Sequence, residues 1–446
     1  MRTPKKSAIR PTSGRADSPP DRPAVRSADD EIWPRVTREL ADDLAVDAPA
    51  RDRAGKVPFD EVARLREAGL PALLTPPGPS RRGADLRAAC AVIREISAAD
   101  SSIGELLAHH YVLSWTGRFL SGGDEAPGGP ESLEERTTQE RWLLAGSLEP
   151  SRTAGLEPSR TAGEPELTLT PVDGGHVLDG RRSFASGVTV ADRLIVGARC
   201  TGTGDFLVAL VDPADPAVFT DAGTDRIGQR LAGAGTVTFD RVPVNAPNIL
   251  GVLPRDEHAV APFTTLAPLA LRLTLVHVAL GVAEGALAEA RDISRATQAA
   301  PPPTEPRTGP DEYPVRGGED PYLLLAYGEL ATAAHAAAAV VERATEALAR
   351  GLRAERSLGV EERADIAVLV AAAEAVTSSS AVRITTRILE LVDTAETADA
   401  SGGGPGFDRF WRNARALTAQ SSSAHRLRDI GDHYLNGTHP RLTLRA

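Results

Sequence analysis

The order in which helical and strand-like patterns follow one another is the feature that most constrains this chain. From Asp29 to about Trp142 apolar residues recur at helical spacing, as in FDEVARLREAGL (59–70). From Trp142 to Val252 they alternate in short runs separated by Gly, Asp and Pro, which is typical of strands. After Pro254 long Ala- and Leu-rich helices return. Because 446 residues exceed one ordinary core, the pattern predicts an α+β protein of several domains.

These changes of pattern divide the chain into four predicted segments. The N-terminal tail, 1–28, is rich in Ser, Pro and basic residues and is expected to be disordered. An all-α domain covers 29–141, and a central β domain, a barrel or a sandwich, covers 142–252. The last segment, 253–446, is predicted to be a four-helix bundle. Its helices are expected at about 262–298, 320–351, 360–396 and 407–435.

Charge and cysteine content exclude several functions. The net charge is -11 with Lys and Arg scattered, so we expect no nucleic-acid partner. Cys90 and Cys200 are far apart, which argues against a disulfide framework and a metal site. The N-terminal segment lacks the apolar stretch of a secretory signal, and the apolar run 266–287 is interrupted by Arg272 and His277. We therefore expect a cytoplasmic protein without a membrane span.

Five phrases carry a resemblance to a known family. They are AADSSIGELLAHHY (98–111), GRRSFASG (180–187), IGQRLAGAGTVTFDRVPV (227–244), GFDRFWRNAR (406–415) and DIGDHYLNGTHP (429–440). Together with the order of helical and strand segments, they resemble the acyl-CoA dehydrogenase fold. Within it, the chain is most similar to the flavin-dependent monooxygenases, the group that contains dibenzothiophene monooxygenase and the amino-sugar N-oxygenases.

The resemblance implies a two-component monooxygenase. Such an enzyme takes reduced flavin from a separate NAD(P)H-dependent flavin reductase and forms a C4a-hydroperoxyflavin with O2. It then oxygenates a small organic substrate at sulfur, nitrogen or electron-rich carbon, while the protein orients the reactants and excludes water. The implied assembly is a homotetramer, a dimer of dimers. The implied cofactor is reduced flavin, with FMN favoured and FAD as the alternative.

The octapeptide LEPSRTAG occurs twice in succession over 148–163. In the family, the stretch after the first strand lines the edge of the flavin ring, and here that stretch begins at Ser147, Leu148 and Glu149. The first copy is therefore expected to face the flavin. The second copy is expected to be an added surface loop, which a fold tolerates at little entropic cost.

Further flavin contacts follow from the same resemblance. Ser186 in SFASG matches the position near flavin N5, where a hydrogen bond would stabilise the oxygenated flavin. Phe184 and Ala185 would join it through packing and backbone contacts. Arg295 and Arg412 are the predicted ligands of the flavin phosphate, for which a planar guanidinium fork is well suited.

The HHY phrase supplies predicted substrate-cavity residues. His109, His110 and Tyr111 lie on a predicted helix that borders the cavity in the family. His110 shares an apolar face with Leu106 and Leu107, so it is expected to point inward. It is a candidate acid or base, and a satisfied core histidine is the alternative.

The C-terminal segment decides between enzyme classes. Acyl-CoA dehydrogenases commonly carry a carboxylate base where this chain has Ser421, and serine alone cannot remove an α proton. The monooxygenases commonly carry a His-Asp pair, here replaced by Gln420 and Ser421. Gln420 can hydrogen-bond a substrate but cannot titrate, so either the reaction needs no base here or His110 supplies it. The alternatives are a dehydrogenase with a displaced base and a catalytically degenerate flavin-binding relative.

Overall fold

A computed structural model describes most of the chain. The described residues are 32–75, 83–120, 132–147, 167–223, 226–253, 260–299, 320–392, 406–419 and 423–440. The predicted N-terminal tail and the tandem LEPSRTAG repeat lie outside them.

The N-terminal region is helical, as predicted. Its helices are α1 (Ile32–Ala54), α2 (Phe59–Glu67), α3 (Leu86–Ala99), α4 (Ser101–Ser114), α5 (Thr116–Leu120) and α6 (Leu133–Gln139), with a short 3-10 helix at Leu70–Ala72. Asp100 separates α3 from α4 in an extended conformation, and its carboxylate accepts the Ser102 backbone N–H at 3.1 Å. Such a cap satisfies a donor that the new helix leaves unpaired. The cap therefore lets α4 begin at once after α3.

The central region is one mixed sheet. Its strands are β1 (Leu144–Ser147), β2 (Thr168–Val172), β3 (Gly175–Phe184), β4 (Arg193–Cys200), β5 (Phe206–Val211), β6 (Val218–Ala222), β7 (Gly235–Asn245) and β8 (Ile249–Leu253). The order across the sheet is β6-β7-β3-β2-β4-β5-β8, and β1 pairs with β4 beside β2. Alternating residues of these strands form a separate apolar core that includes Leu178, Val196 and Phe239.

The short strand β1 joins the helical region to the sheet. It pairs in parallel with β4, from Leu144 opposite Arg193 to Ser147 opposite Val196. Gly146 has a positive φ of 137°, and a Cβ there would lie 1.9 Å from the Ile195 carbonyl oxygen. Only glycine fits this approach. The end of β1 is thus held directly against β4.

The C-terminal region is a helical bundle. Its helices are α7 (Leu266–Ala299), α8 (Pro321–Ala354), α9 (Val360–Val392), α10 (Asp408–Ala419) and α11 (Ser423–Asn436). The last predicted helix, 407–435, corresponds to α10 and α11, and residues 420–422 between them lie outside the described residues. α7 packs against α3, where Gly281 and Gly285 face the backbone carbonyls of Arg94 and Ala98. Arg94 also forms a bidentate ion pair with Glu284 across this contact.

Three helices of the bundle are long and apolar enough, by length and composition, to cross a membrane: α7, α8 and α9. They differ in how much of the most apolar window is covered inside the chain, which is 83% for α7, 44% for α9 and 28% for α8. The burial of α7 agrees with its prediction as a bundle helix. Much of α8 is left uncovered by the described part of the chain.

Candidate active site

A narrow cavity of about 40 Å³ opens where the three regions meet. Its walls come from α4, α5, the ends of β1 and β8, and the start of α7. The lining residues are His109, Val112, Leu113, Phe119, Leu120, Gly146, Ser147, Leu253, Thr264, Ala267, Pro268 and Leu271. These side chains are mostly apolar, and none of the described lining residues carries a full charge at neutral pH if His109 is neutral.

His109 is the polar residue that α4 contributes to the cavity wall, beside Val112 and Leu113. The other thirteen residues of the helix are all buried, and His109 alone is half-buried. Its Nδ1 lies 3.0 Å from the Glu105 carbonyl oxygen, and burial is the main cause that lowers its pKa. A neutral ring therefore donates from Nδ1 to that carbonyl, which leaves Nε2 as an acceptor. The predicted substrate-contacting role of His109 is consistent with this position and stays a prediction.

His110 lies on the opposite side of α4, away from the cavity lining, and is fully buried. Its Nε2 donates to the Pro71 carbonyl oxygen at 2.7 Å, and its Nδ1 accepts the Leu144 backbone N–H at 3.0 Å. Burial lowers its pKa to about 4. With both nitrogens engaged by backbone, the geometry does not support the predicted roles of base and substrate ligand. The side chain instead links α4 to the 3-10 helix and to β1.

Tyr111 has a similar structural environment. It is buried, and its hydroxyl donates to the Leu70 carbonyl oxygen at 3.0 Å. Burial raises its pKa above the ordinary value. Tyr111 is not among the cavity-lining residues, so the geometry gives no support to its predicted substrate contact.

The SFASG loop lies beside α4 and β1. Gly187 has a φ of 82°, and a Cβ there would lie 2.7 Å from the Ala145 side chain. Arg226 donates to the Ala185 carbonyl oxygen at 2.9 Å and fixes the loop from the other side. Ser186 is 3% exposed, and its hydroxyl has no hydrogen-bond partner among the described residues. A buried hydroxyl usually has a partner, so Ser186 is poised to meet a bound group.

Ser147 connects this loop to the cavity. It lines the cavity at the end of β1, and its hydroxyl accepts a hydrogen bond from Arg182 at 3.3 Å. The Arg182 guanidinium also lies 5.8 Å from the ring centre of Phe184. The structure therefore brings together Ser147, Phe184, Ala185 and Ser186, which sequence reasoning had joined only through a resemblance. Their predicted contacts with flavin stay predictions.

Glu105 is a buried carboxyl group that sequence reasoning missed. It lies one helical turn before His109 and is 3% exposed, and its Oε2 has no hydrogen-bond partner among the described residues. Burial raises its pKa to about 7, against a smaller opposing effect of Arg226. The available signal was a lone carboxylate within the otherwise apolar phrase SSIGELLA.

The remaining predicted site residues do not join this group in the described structure. The Arg412 guanidinium is occupied by Asp52, by Asp408 at 2.9 Å and by the Ile227 carbonyl at 3.0 Å. This ion-pair network gives no support to its predicted binding of phosphate. Arg295 is exposed near the end of α7. Leu148, Glu149, Gln420 and Ser421 lie outside the described residues.

No cluster of three or more His, Cys, Asp or Glu side chains suited to a metal ion occurs within the described ranges. The polar groups of the site are instead single donors and acceptors that border an apolar cavity. An apolar lining with a few polar groups is the composition typical of sites for small organic molecules.

Comparison with known proteins gives matches along nearly the whole chain. No family model matches. The probable FMNH2-dependent monooxygenase SfnC of Pseudomonas putida is 29% identical over 407 residues, 91% of this chain and 95% of SfnC. FMN-bound TdsC, the dibenzothiophene monooxygenase of Paenibacillus sp. A11-2, superposes with a TM-score of 0.80 at 28% identity, covering 93% of this chain and 100% of TdsC.

Two further solved structures share this fold, one of a monooxygenase and one of a dehydrogenase. Methanesulfinate monooxygenase MsuC of Pseudomonas fluorescens has a TM-score of 0.78 at 28% identity, with coverages of 95% and 100%. Butyryl-CoA dehydrogenase of Megasphaera elsdenii, at 18% identity and a TM-score of 0.69, shares the fold. The chain is a homologue of the FMNH2-dependent monooxygenases. The predicted acyl-CoA dehydrogenase-like fold, the predicted enzyme class and the predicted reduced-flavin cofactor, with FMN favoured, are confirmed for this monooxygenase homologue.

Proposed function

We propose that the chain uses reduced FMN, supplied by a separate NAD(P)H-dependent reductase, and O2 to add one oxygen atom to a small neutral sulfur compound. Nitrogen and electron-rich carbon are alternative acceptors. The observation that carries the proposal is the apolar cavity lined by His109 and Ser147, in a chain related over its length to FMNH2-dependent monooxygenases. The relatives' names include a sulfur heterocycle as substrate.

The residues present fit a flavin. Ser186 offers a buried hydroxyl without a protein partner, and the close approach of Gly187 to Ala145 keeps the loop backbone near β1. We infer that Ser186, Ala185 and Ser147 would hold the ring, and that Phe184 would pack near it. Bound reduced FMN supplies the two electrons that activate O2. The surrounding apolar walls exclude water from the site.

The substrate class follows from the lining of the cavity. Apolar side chains predominate, and among the described lining residues no Lys or Arg offers a partner to an anion. Burying an unpaired anion there would be costly. We therefore favour a neutral aromatic or alkyl sulfur compound over a sulfinate. His109 Nε2 would orient it, since it is a polar group at the wall.

The test is oxygenation by the purified chain with FMN, NADH and a flavin reductase. We expect oxygen incorporation from labelled O2 into dibenzothiophene or an aryl thioether, and at least about tenfold less turnover of methanesulfinate. FAD in place of FMN should support less turnover. A reaction without the chain controls for oxidation by free reduced flavin.

Two results would contradict this function. Anaerobic bleaching of the oxidised flavin by an acyl-CoA would identify a dehydrogenase with a displaced base. Reoxidation of reduced flavin at the rate of free solution, with no oxygenated product from any sulfur, nitrogen or aromatic compound, would identify a degenerate flavin-binding relative.

We also propose a cytoplasmic homotetramer, arranged as a dimer of dimers. The support is the uncovered face of α8, where Tyr322, Leu324 and Leu325 are 83%, 58% and 62% exposed. Exposed apolar side chains concentrated in the first turns of one helix favour burial against another chain.

A further inference from the structure

Glu105 has an unusual environment for a carboxylate. It lies on α4, where every neighbour along the helix except His109 is fully buried. Its Oε2 is buried, and no described residue donates a hydrogen bond to it. An ionised carboxylate in such a place is strongly disfavoured unless a cation or donors compensate for the lost hydration. The environment therefore favours the protonated form.

The charged and titratable groups around Glu105 do not reverse its preference for the protonated form. Arg226 is the described cation whose charge reaches it, and this charge opposes the effect of burial without cancelling it. Arg226 itself donates to the Ala185 carbonyl at 2.9 Å and to the Gln229 carbonyl at 3.4 Å. Its guanidinium is thus tied to the SFASG loop. Along α4, the titratable neighbour is His109, whose pKa is lowered and which is neutral at neutral pH.

The other candidate proton carriers of the site are less suitable. His110 has both nitrogens engaged by backbone groups. Gln420 and Ser421 have side chains that do not titrate near neutral pH. Of these groups, Glu105 is the one that can change protonation state near neutral pH, since burial raises its pKa to about 7.

We propose that Glu105 is the proton-exchanging group of the oxygenation site. This inference rests on the proposed function and assigns its proton donor. When reduced flavin is bound as the monoanion, the substrate, O2 and one proton yield the oxygenated substrate, water and oxidised flavin. Glu105 supplies that proton as an acid, and its carboxylate regains one from solvent after turnover. Residues one turn apart on a helix are neighbours, so Glu105 lies beside His109, which lines the cavity.

The first experiment detects the proton without flavin or substrate. Infrared spectra of the flavin-free protein are recorded from about pH 5 to about pH 9, a range that spans the ordinary and raised values for a carboxyl group. We expect the carbonyl band of a protonated carboxyl that is lost around neutral pH and is missing from Glu105→Gln. Glu61→Gln is the matched control, because Glu61 is a buried carboxylate paired with Arg51. It should leave the band unchanged.

The second experiment follows the chemistry. With the wild type, we expect kcat to fall as pH rises through neutrality, since the acid form is the donor. Glu105→Gln should lower kcat about 100-fold and abolish this pH dependence, while the Kd for FMN changes less than about threefold. Glu105→Asp should retain part of the activity and the same falling limb, and Glu61→Gln should match the wild type. A merely structural carboxyl would not remove the falling limb.

The outcomes separate this inference from the function on which it rests. Absence of the infrared band in the wild type, or an unaltered kcat profile in Glu105→Gln, would overturn the role of Glu105. If no compound is oxygenated, the pH dependence of reoxidation of bound reduced FMN replaces kcat. If Glu105→Gln then abolishes the pH dependence of reoxidation, the proton role of Glu105 stands although the proposed function fails. If the pH dependence is unchanged, both are overturned.

Discussion

Two adjacent histidines show how one residue step along a helix changes the role of a side chain. His110 uses both ring nitrogens to hold the Pro71 carbonyl and the Leu144 N–H, whereas His109 directs one nitrogen to the cavity. His110→Phe would leave two buried backbone groups unpaired, so we expect the free energy of unfolding to fall by about 3 kcal/mol. His109→Phe should change stability little and raise KM for the substrate. Urea unfolding and steady-state kinetics check the pair.

The same histidine gives a prediction for pH. The pKa of His110 is lowered from 6.5 to about 4, so its neutral form stabilises the folded state above about pH 6.5. That contribution is lost as pH falls through about 4 and amounts to at most about 3 kcal/mol. The wild type should therefore lose more stability than His110→Phe over this interval. Equal acid sensitivity of the two proteins would contradict the proposed structural role.

Helical periodicity could not distinguish these side chains. It identified His110 as inward-pointing, which it is, but an inward side chain can meet a cavity or a backbone carbonyl. α4 is buried on nearly every side. It therefore has no polar face that would show which of its side chains point to the cavity. The importance of Glu105 likewise depends on the lack of a hydrogen-bond donor to Oε2 among the described residues. No local sequence pattern contains that information. Ser147 and Ser186 could be predicted from short sequence phrases, because each phrase also determines the local backbone that positions the serine.

At the scale of elements, the helix–strand–helix order was predictable because each segment has its own apolar period. The pairing of β1 with β4 was not, because a parallel pair joins strands that are distant in sequence. The expected central β domain is present as a mixed sheet of eight strands. The predicted helix 407–435 agrees with α10 and α11 in the described residues on either side of 420–422.

The contact between α3 and α7 provides a test at this scale. A Cβ on Gly285 would lie 2.1 Å from the Ala98 carbonyl oxygen, a separation that requires the helices to move apart. We expect Gly285→Ala to lower the free energy of unfolding by about 2 kcal/mol, because overpacking outweighs the better helix propensity of alanine. Gly328→Ala is the control, because a Cβ there meets no atom within 4 Å. It should raise stability by about 1 kcal/mol, and a loss at both glycines would show that packing against α3 is not the cause.

At the scale of the whole molecule, the chain buries its helices unevenly. The most apolar window of α7 is 83% covered, whereas that of α8 is 28% covered. Leu324 and Leu325 lie in the first turns of α8 and are more than half exposed. Uncovered apolar surface of this kind favours burial against a second copy of the chain, and two different faces used in pairs would generate the proposed dimer of dimers.

This reasoning predicts the mass of the assembly in solution. By light scattering, the wild type should have about four times the 46.9 kDa of the chain. Leu324→Glu combined with Leu325→Glu places charges on the uncovered face, so we expect dimers or single chains. Val46→Glu is the control, because Val46 is 83% exposed on α1 and away from α8. If the wild type has the mass of one chain, or if the double variant has an unchanged mass, the α8 face does not join the subunits. Two carboxylates buried in that interface would cause loss of association.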